Sequence, residues 1–192
     1  MSDQYKDALR STIRQVRSKL SSQYRATASE QVCTRIRSLA AYKDAQHVAL
    51  YHSIHGEIDL TSLWHSADAQ GKTCYFPVLH DNSSLLFLPA SPITPFRKNK
   101  FGVLEPDISR DLAMPVDKLD LILVPVVVFD IRCTRLGMGA GYYDRTLANQ
   151  SNSTLYGIAY QFQRVDYIEP ESWDVPLDAV ITQRAIYWRE AD

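Results

Sequence analysis

The chain has 192 residues, 45% hydrophobic and 22% charged, enough for one domain with its own core and typical of an ordinary globular protein, not of a disordered segment. Lysine and arginine total 21 against 22 aspartate and glutamate, a formal net charge of -1. No global field therefore draws the chain to nucleic acid or a membrane surface, and any anion site must be local.

Tyr5, Leu9, Ile13, Val16 and Leu20 recur at helical spacing and predict an amphipathic first helix whose apolar face docks on the core. Lys6, Arg10, Arg14 and Arg17 repeat the same steps one position later, a basic stripe about 100° around the helix, beside the apolar one. Asp3, Lys6, Asp7 and Arg10 stand where a signal peptide would be apolar, and no apolar run approaches the ~18 residues of a membrane span. Val32, Ile36 and Leu39 suggest a second helix. Residues 46–52 read as a short buried strand, 60–70 as a helix stopped by Gly71, and 72–78 as the next strand, together a βαβ unit. Residues 85–88 suggest another strand, and the proline-marked stretch 89–115 has no clear element and suits a lid or binding loop.

Residues 119–129 form the most hydrophobic segment, rich in valine and isoleucine, and predict one central strand. A glycine-rich turn, a helix over 142–149, and strands at 155–160 and 179–181 follow. Strands alternating with helices give an α/β fold of three layers, a largely parallel sheet with helices on both faces, as a single domain over 1–192. Cys33, Cys74 and Cys133 are widely spaced, in no C-x-x-C arrangement, which argues against a disulfide framework or structural zinc and fits a cytoplasmic protein.

The segment Arg135-Leu136-Gly137-Met138-Gly139-Ala140-Gly141-Tyr142-Tyr143-Asp144 follows the strongest strand and opens a helix, which is where open α/β sheets bind ligands. Glycines at alternate positions allow positive φ and let backbone N–H groups approach an anion, and the helix start favours negative charge. By pattern it is either a phosphate cradle or a plain tight turn, since it matches neither the dinucleotide nor the G-K-[ST] loop.

The run Asp120-Leu121-Ile122-Leu123-Val124-Pro125, with Phe129-Asp130 and Arg135-Leu136-Gly137-x-Gly139-x-Gly141-Tyr142-Tyr143-Asp144-Arg145, resembles the 5-formyltetrahydrofolate cyclo-ligase (methenyltetrahydrofolate synthetase) family. The likeness extends to Lys6-x-x-x-Arg10, Tyr51-His52-Ser53 with Glu57-Ile58, Asn99-x-Phe101-Gly102-x-x-Glu105-Pro106 and Trp173-Asp174-Val175-Pro176-Leu177-Asp178. It implies an enzyme that uses Mg-ATP to convert 5-formyltetrahydrofolate to 5,10-methenyltetrahydrofolate, ADP and phosphate, through phosphorylation of the formyl oxygen and ring closure. Its partners would be small molecules, with no nucleic acid or membrane, and the chain a monomer or weak homodimer.

Carried over by position, the resemblance assigns Lys6 and Arg10 to the ATP phosphates, and the loop of Arg135, Leu136, Gly137, Met138, Gly139, Ala140, Gly141, Tyr142 and Tyr143 to the nucleotide. Lys6, Arg10, Arg135 and Tyr143 would be catalytic. Asp144 and Asp174 would hold Mg2+, which prefers one or two protein carboxylates completed by phosphate and water. Glu57 would accept from the N–H groups of the pterin, with His52, Met138, Gly139, Ala140, Gly141 and Tyr142 also facing the folate. Read singly, each residue has a blander alternative: a solvated face for Lys6 and Arg10, helix N-terminal charge for Asp144, a turn for Asp174, a strand end for His52. Met138 and Ala140 depart from the basic residue or glycine of some members, and Phe101 and Trp173 are either stacking platforms or buried loop aromatics. A non-catalytic folate or nucleotide binder is the runner-up, and a sugar-phosphate isomerase or CoA-transferase-like enzyme is a third reading by fold analogy.

Overall fold

The computed structural model describes residues 3–148, 150 and 152–190. In chain order the elements are α1 (Asp3–Ser18), α2 (Ser22–Ser38), α3 (Ala40–Asp44), β1 (His47–Ala49), α4 (Thr61–Ala69), β2 (Thr73–Leu79), β3 (Leu85–Pro89), β4 (Phe96–Lys98), β5 (Leu104–Pro106), β6 (Leu121–Pro125), β7 (Val128–Phe129), β8 (Arg135–Leu136), α5 (Tyr142–Leu147), β9 (Thr154–Ile158), β10 (Ala179–Ile181) and β11 (Ile186–Trp188). The start of α2 is fixed by Ser21, whose hydroxyl accepts from the Tyr24 amide at 3.2 Å, a side-chain cap for a free helix donor. Gly71, at φ +74 just past α4, takes the left-handed stop that the sequence marks.

Seven strands form one sheet in the order β11-β10-β9-β6-β1-β2-β3. The inner five run parallel, and β3 and β11 close the two edges antiparallel. The expected α/β architecture with a largely parallel sheet is therefore observed. β6 lies at the centre, and its successive residues point to opposite faces. Leu121 and Leu123 join α2, α3 and α4 in one core, whereas Ile122 and Val124 pack on the other face with Leu147 of α5 and Leu177. That second face is covered by one short helix and by loops such as those carrying Met114 and Val175. No helix among the described residues is long and apolar enough to cross a membrane. The three cysteines are free and buried, and burial pushes the Cys33 and Cys133 thiols up to about 11 and that of Cys74 to about 12.

The hydrophobic run 119–129 is not one strand. Pro125 is the last position paired with β9, and from Val127 the backbone turns to a second partner, its amide donating to the Leu136 carbonyl at 3.0 Å. The chain leaves the main sheet there and forms the small antiparallel β7–β8 ribbon, which aims the glycine loop back across the end of the sheet. The stretch 89–115 contains a second hairpin, β4–β5, with Asn99 to Val103 at its tip. The helix expected over 142–149 ends at Leu147, and Asn149 lies outside the described residues.

The docking face of α1 also differs. Tyr5 and Val16, expected inward, are 53% and 41% exposed, while Lys6, Ile13 and Arg17 are buried. These three share one face at helical spacing, so the inward side combines two cations with Ile13, and Leu9 and Leu20 of the expected apolar face are half-buried against the core. Arg14 of the same sequence stripe points to solvent.

Candidate functional site

A cavity of about 540 Å³ opens at the ends of β1, β2 and β6, on the side where these parallel strands finish. The glycine loop, α1, the β4–β5 hairpin and the segment 171–174 surround it. Each nominated residue, namely Lys6, Arg10, His52, Glu57, Arg135, Leu136, Gly137, Met138, Gly139, Ala140, Gly141, Tyr142, Tyr143, Asp144 and Asp174, lines it. Residues from opposite ends of the chain thus converge on one space.

The loop begins where β8 releases Leu136. Gly139 and Gly141 take positive φ, +97 and +67, whereas Gly137 does not. Gly141 is the residue from which α5 starts; a side chain is strained in that left-handed conformation. Arg10 of α1 supports the loop from outside, its Nε donating to the Gly137 carbonyl at 3.0 Å, and a Cβ at Gly139 would lie 3.8 Å from its guanidinium. Lys6 is 5% exposed and its Nζ sits 2.5 Å from the Glu171 carboxylate. A buried ammonium needs such a partner or an anion in its place.

Arg135, expected in the loop that wraps the nucleotide, has protein partners at both terminal nitrogens. One terminal nitrogen donates to the Val175 carbonyl, and the other pairs with Asp144 at 2.7 Å. It therefore orients Asp144 and ties the start of α5 to the C-terminal segment, since the Val175 amide also donates to the same Asp144 oxygen at 3.3 Å. Asp174 is held by the Glu171 amide, which donates to Oδ2 at 2.8 Å. One oxygen of each aspartate makes no hydrogen bond among the described residues. No cluster of three or more His, Cys, Asp or Glu that could hold a metal occurs among them. The donor set is thus two hard oxygens, insufficient by itself for zinc or calcium and suited to a magnesium ion whose remaining positions are filled by phosphate and water.

Glu57, which also lines the cavity, is 8% exposed. Its Oε2 accepts from the Ile54 amide at 3.1 Å, and Arg17 approaches Oε1 at 3.5 Å. Burial raises the Glu57 carboxyl above the usual carboxylate range, and Arg17 and the Ile54 amide offset part of that rise. His52 stacks on Phe76 at 4.5 Å between ring centroids, with Phe96 edge-on at 4.7 Å. Its Nε2 is buried without a hydrogen-bond partner; burial lowers its affinity for a proton, so the ring is neutral near pH 7. Burial likewise pushes the Tyr143 phenol well above its ordinary value, which leaves it a neutral hydroxyl and not a proton acceptor. Phe101, 54% exposed, meets Tyr142 edge-on at 6.4 Å, and Trp173, also lining the cavity, is 67% exposed.

Four participants escaped the sequence reading. Arg17 belonged to the basic stripe but had no assigned partner. Glu171 lies in an acidic segment with no helical or strand period. Glu105 and Asn99 were matched as motif letters without a role: the Asn99 amide donates to Glu105 at 2.8 Å, and its oxygen accepts from the Phe101 and Val103 amides, which shapes the hairpin tip.

The model of the 5-formyltetrahydrofolate cyclo-ligase family matches residues 2–183. The 5-formyltetrahydrofolate cyclo-ligase of Haemophilus influenzae is 39% identical over 181 residues, 92% of this chain and 97% of that protein. The Escherichia coli K12 enzyme of the same name is 35% identical, covering 91% and 98%. The solved structure of Aquifex aeolicus 5,10-methenyltetrahydrofolate synthetase superposes with a TM-score of 0.84 at 31% identity, over 97% of this chain and 94% of that one. A match across nearly the whole chain, in sequence and in fold, means that this protein belongs to the 5-formyltetrahydrofolate cyclo-ligase family and is a ligase.

Proposed function

We propose that the protein converts 5-formyltetrahydrofolate to 5,10-methenyltetrahydrofolate at the expense of ATP, with Asp144 and Asp174 as the residues that would hold a magnesium ion. The observation that carries this reading is one cavity lined both by a carboxylate, Glu57, with aromatic rings and by a glycine loop with Lys6, Arg10, Asp144 and Asp174.

Glu57 is an acceptor-only group when ionised and suits the adjacent N–H donors of a pterin. His52 offers its unmet ring nitrogen to the same ring system, and Tyr142 and Phe101 give it aromatic faces. Lys6 exchanges Glu171 for a phosphate oxygen, and the amides of residues 137–141 supply donors close to the phosphates. Magnesium, when bound, neutralises charge on the phosphates. Arg135 keeps Asp144 aimed at that ion. The balance of the reaction is simple: the formyl oxygen takes the terminal phosphoryl group and ADP departs. The 10-nitrogen then forms a C–N bond to the formyl carbon and loses its proton, and the former formyl oxygen leaves with phosphate. Such a transfer asks the protein chiefly for positioning and charge stabilisation.

The test is to mix protein, 5-formyltetrahydrofolate and Mg-ATP and follow methenyl-folate absorbance, with and without EDTA. Asp144→Ala should abolish turnover and spare folate binding measured without nucleotide. Absence of an ATP- and metal-dependent signal in the unaltered protein would reject the proposal.

A further inference from the structure

We propose that Arg17 is a positioning residue for the folate carboxylate, holding Glu57 in place and in its ionised form from beneath the pocket. The inference rests on the reading of Glu57 as the group that accepts from the pterin.

Arg17 is the largest fully buried side chain of the molecule, 0% exposed, and it is not among the residues that line the cavity. It therefore touches no ligand. Its Nε donates to the His55 carbonyl at 3.0 Å, and its Nη2 lies 3.5 Å from Glu57. Its Nη1 is buried with no hydrogen-bond partner. The loop rests directly on the α1 backbone: Gly56 has φ +74, and a Cβ there would lie 3.1 Å from the Arg17 carbonyl oxygen. A structural clip for the His55 carbonyl needs only a neutral donor, and burying a cation with an unmet N–H for that purpose is a poor solution. What the guanidinium adds is a positive charge under Glu57. Among the described residues the titratable groups that face Glu57 are Arg17 from α1, Tyr51 just beyond β1 and Tyr143 from α5. Both phenols are held neutral by burial, so Arg17 supplies the favourable charge.

The consequence is a pH signature. A protonated Glu57 carries a hydrogen where the pterin presents its own, so folate binding requires the ionised form. Burial alone favours the protonated form, and removing the cation should move the loss of binding into the neutral range.

The experiment compares Arg17→Gln, which keeps a donor for the His55 carbonyl, with Arg17→Lys, Glu57→Gln and the R17M/E57Q double variant. The readouts are the KM for 5-formyltetrahydrofolate at saturating Mg-ATP from pH 6 to 9, and the KM for Mg-ATP at pH 7.5. For R17Q the folate KM should rise at least tenfold at pH 7 and fall by about tenfold per pH unit as the pH is raised, the limiting slope for one proton. Its Mg-ATP KM should stay within twofold of the parent. R17K should restore the parent's pH profile. A folate KM raised by a pH-independent factor, or a Mg-ATP KM that rises with it, would mean that Arg17 only props α1, and overturns the inference. Should R17Q fail to fold, the double variant, which removes both buried charges, takes its place: its folate KM should match that of E57Q within twofold, and an additive further loss overturns the inference. An E57Q protein with the parent's folate KM would instead sink the assignment of Glu57 itself.

Discussion

Replacement of Gly141 by alanine probes the loop where its geometry is most demanding. Gly141 sits at φ +67 and ψ 16, and a Cβ placed there would lie 2.7 Å from Arg145 Nη1. The left-handed backbone costs about 1–2 kcal/mol for an L side chain. The contact forces Arg145 to swing away from the Ser83 carbonyl, which its Nε meets at 2.9 Å, and from the Ala140 carbonyl. Those bonds are at the surface, and their loss adds at most about 1 kcal/mol. The sum is roughly 1–3 kcal/mol, a fall in melting temperature of about 2–12 °C for a chain of this size. The KM for Mg-ATP should rise about tenfold, because the amides on either side of Gly141 no longer share one anion. Thermal melts and initial rates are measured for G141A alone and in an Arg145→Ala background, where the collision is absent and only the backbone penalty persists. Equal melting-temperature losses in both backgrounds would show that the Arg145 contact is not felt. No loss in either would refute the claim that α5 starts from a glycine-specific conformation.

Two further outcomes follow from the same coordinates. In the unaltered protein the folate KM should be flat at neutral and alkaline pH and climb as the pH falls through the Glu57 pKa. Burial has raised that pKa, so the climb begins at higher pH than for an ordinary carboxylate; a KM–pH profile flat down to pH 4.5 contradicts it. Gly157→Ala places a methyl on central strand β9 against Leu177, 3.0 Å from Val126 Cγ2 and 3.2 Å from Val180 Cγ2. Overpacking there should cost about 1–3 kcal/mol in urea unfolding, and an unchanged midpoint would contradict the tight packing of that face.

Period and composition were good guides wherever burial alone decides structure. The βαβ unit of β1, α4 and β2, the central position of β6 and the strand at 179–181 were legible because their apolar runs are bounded by turn residues. Reading 119–129 as one strand failed because hydrophobicity does not distinguish a strand that continues from one that changes partner. Val124 and Val127 are equally buried, yet Val127 bonds to β8. The edge strand β11 and the hairpin strands β4 and β5 are only three residues each, too short to show a period. At the site, every residue nominated from the likeness to the family lines the cavity, while the contacts of Arg135 could not be read, since its partners Asp144 and Val175 lie 9 and 40 residues away.

The first helix was misread for a reason that bears on how the site is assembled. Apolar moment arguments assume that a helix docks by removing hydrocarbon from water, and by that rule Tyr5 and Val16 should face inward. Here three cations of one helix each hold a different loop: Lys6 the acidic segment at Glu171, Arg10 the glycine loop at Gly137, and Arg17 the loop at His55 and Glu57. Ile13 alone is the buried apolar residue between them. A helix seated partly by charges is held only as well as its anionic and carbonyl partners are ordered, and those partners are loops that line the cavity. Arg17 meets only the loop at His55 and Glu57, whereas Lys6 and Arg10 meet the segments at Glu171 and Gly137. Loss of one cation therefore frees one loop and leaves the other two contacts of the helix in place, which is why a change at Arg17 should be read at Glu57 and not at Lys6 or Arg10.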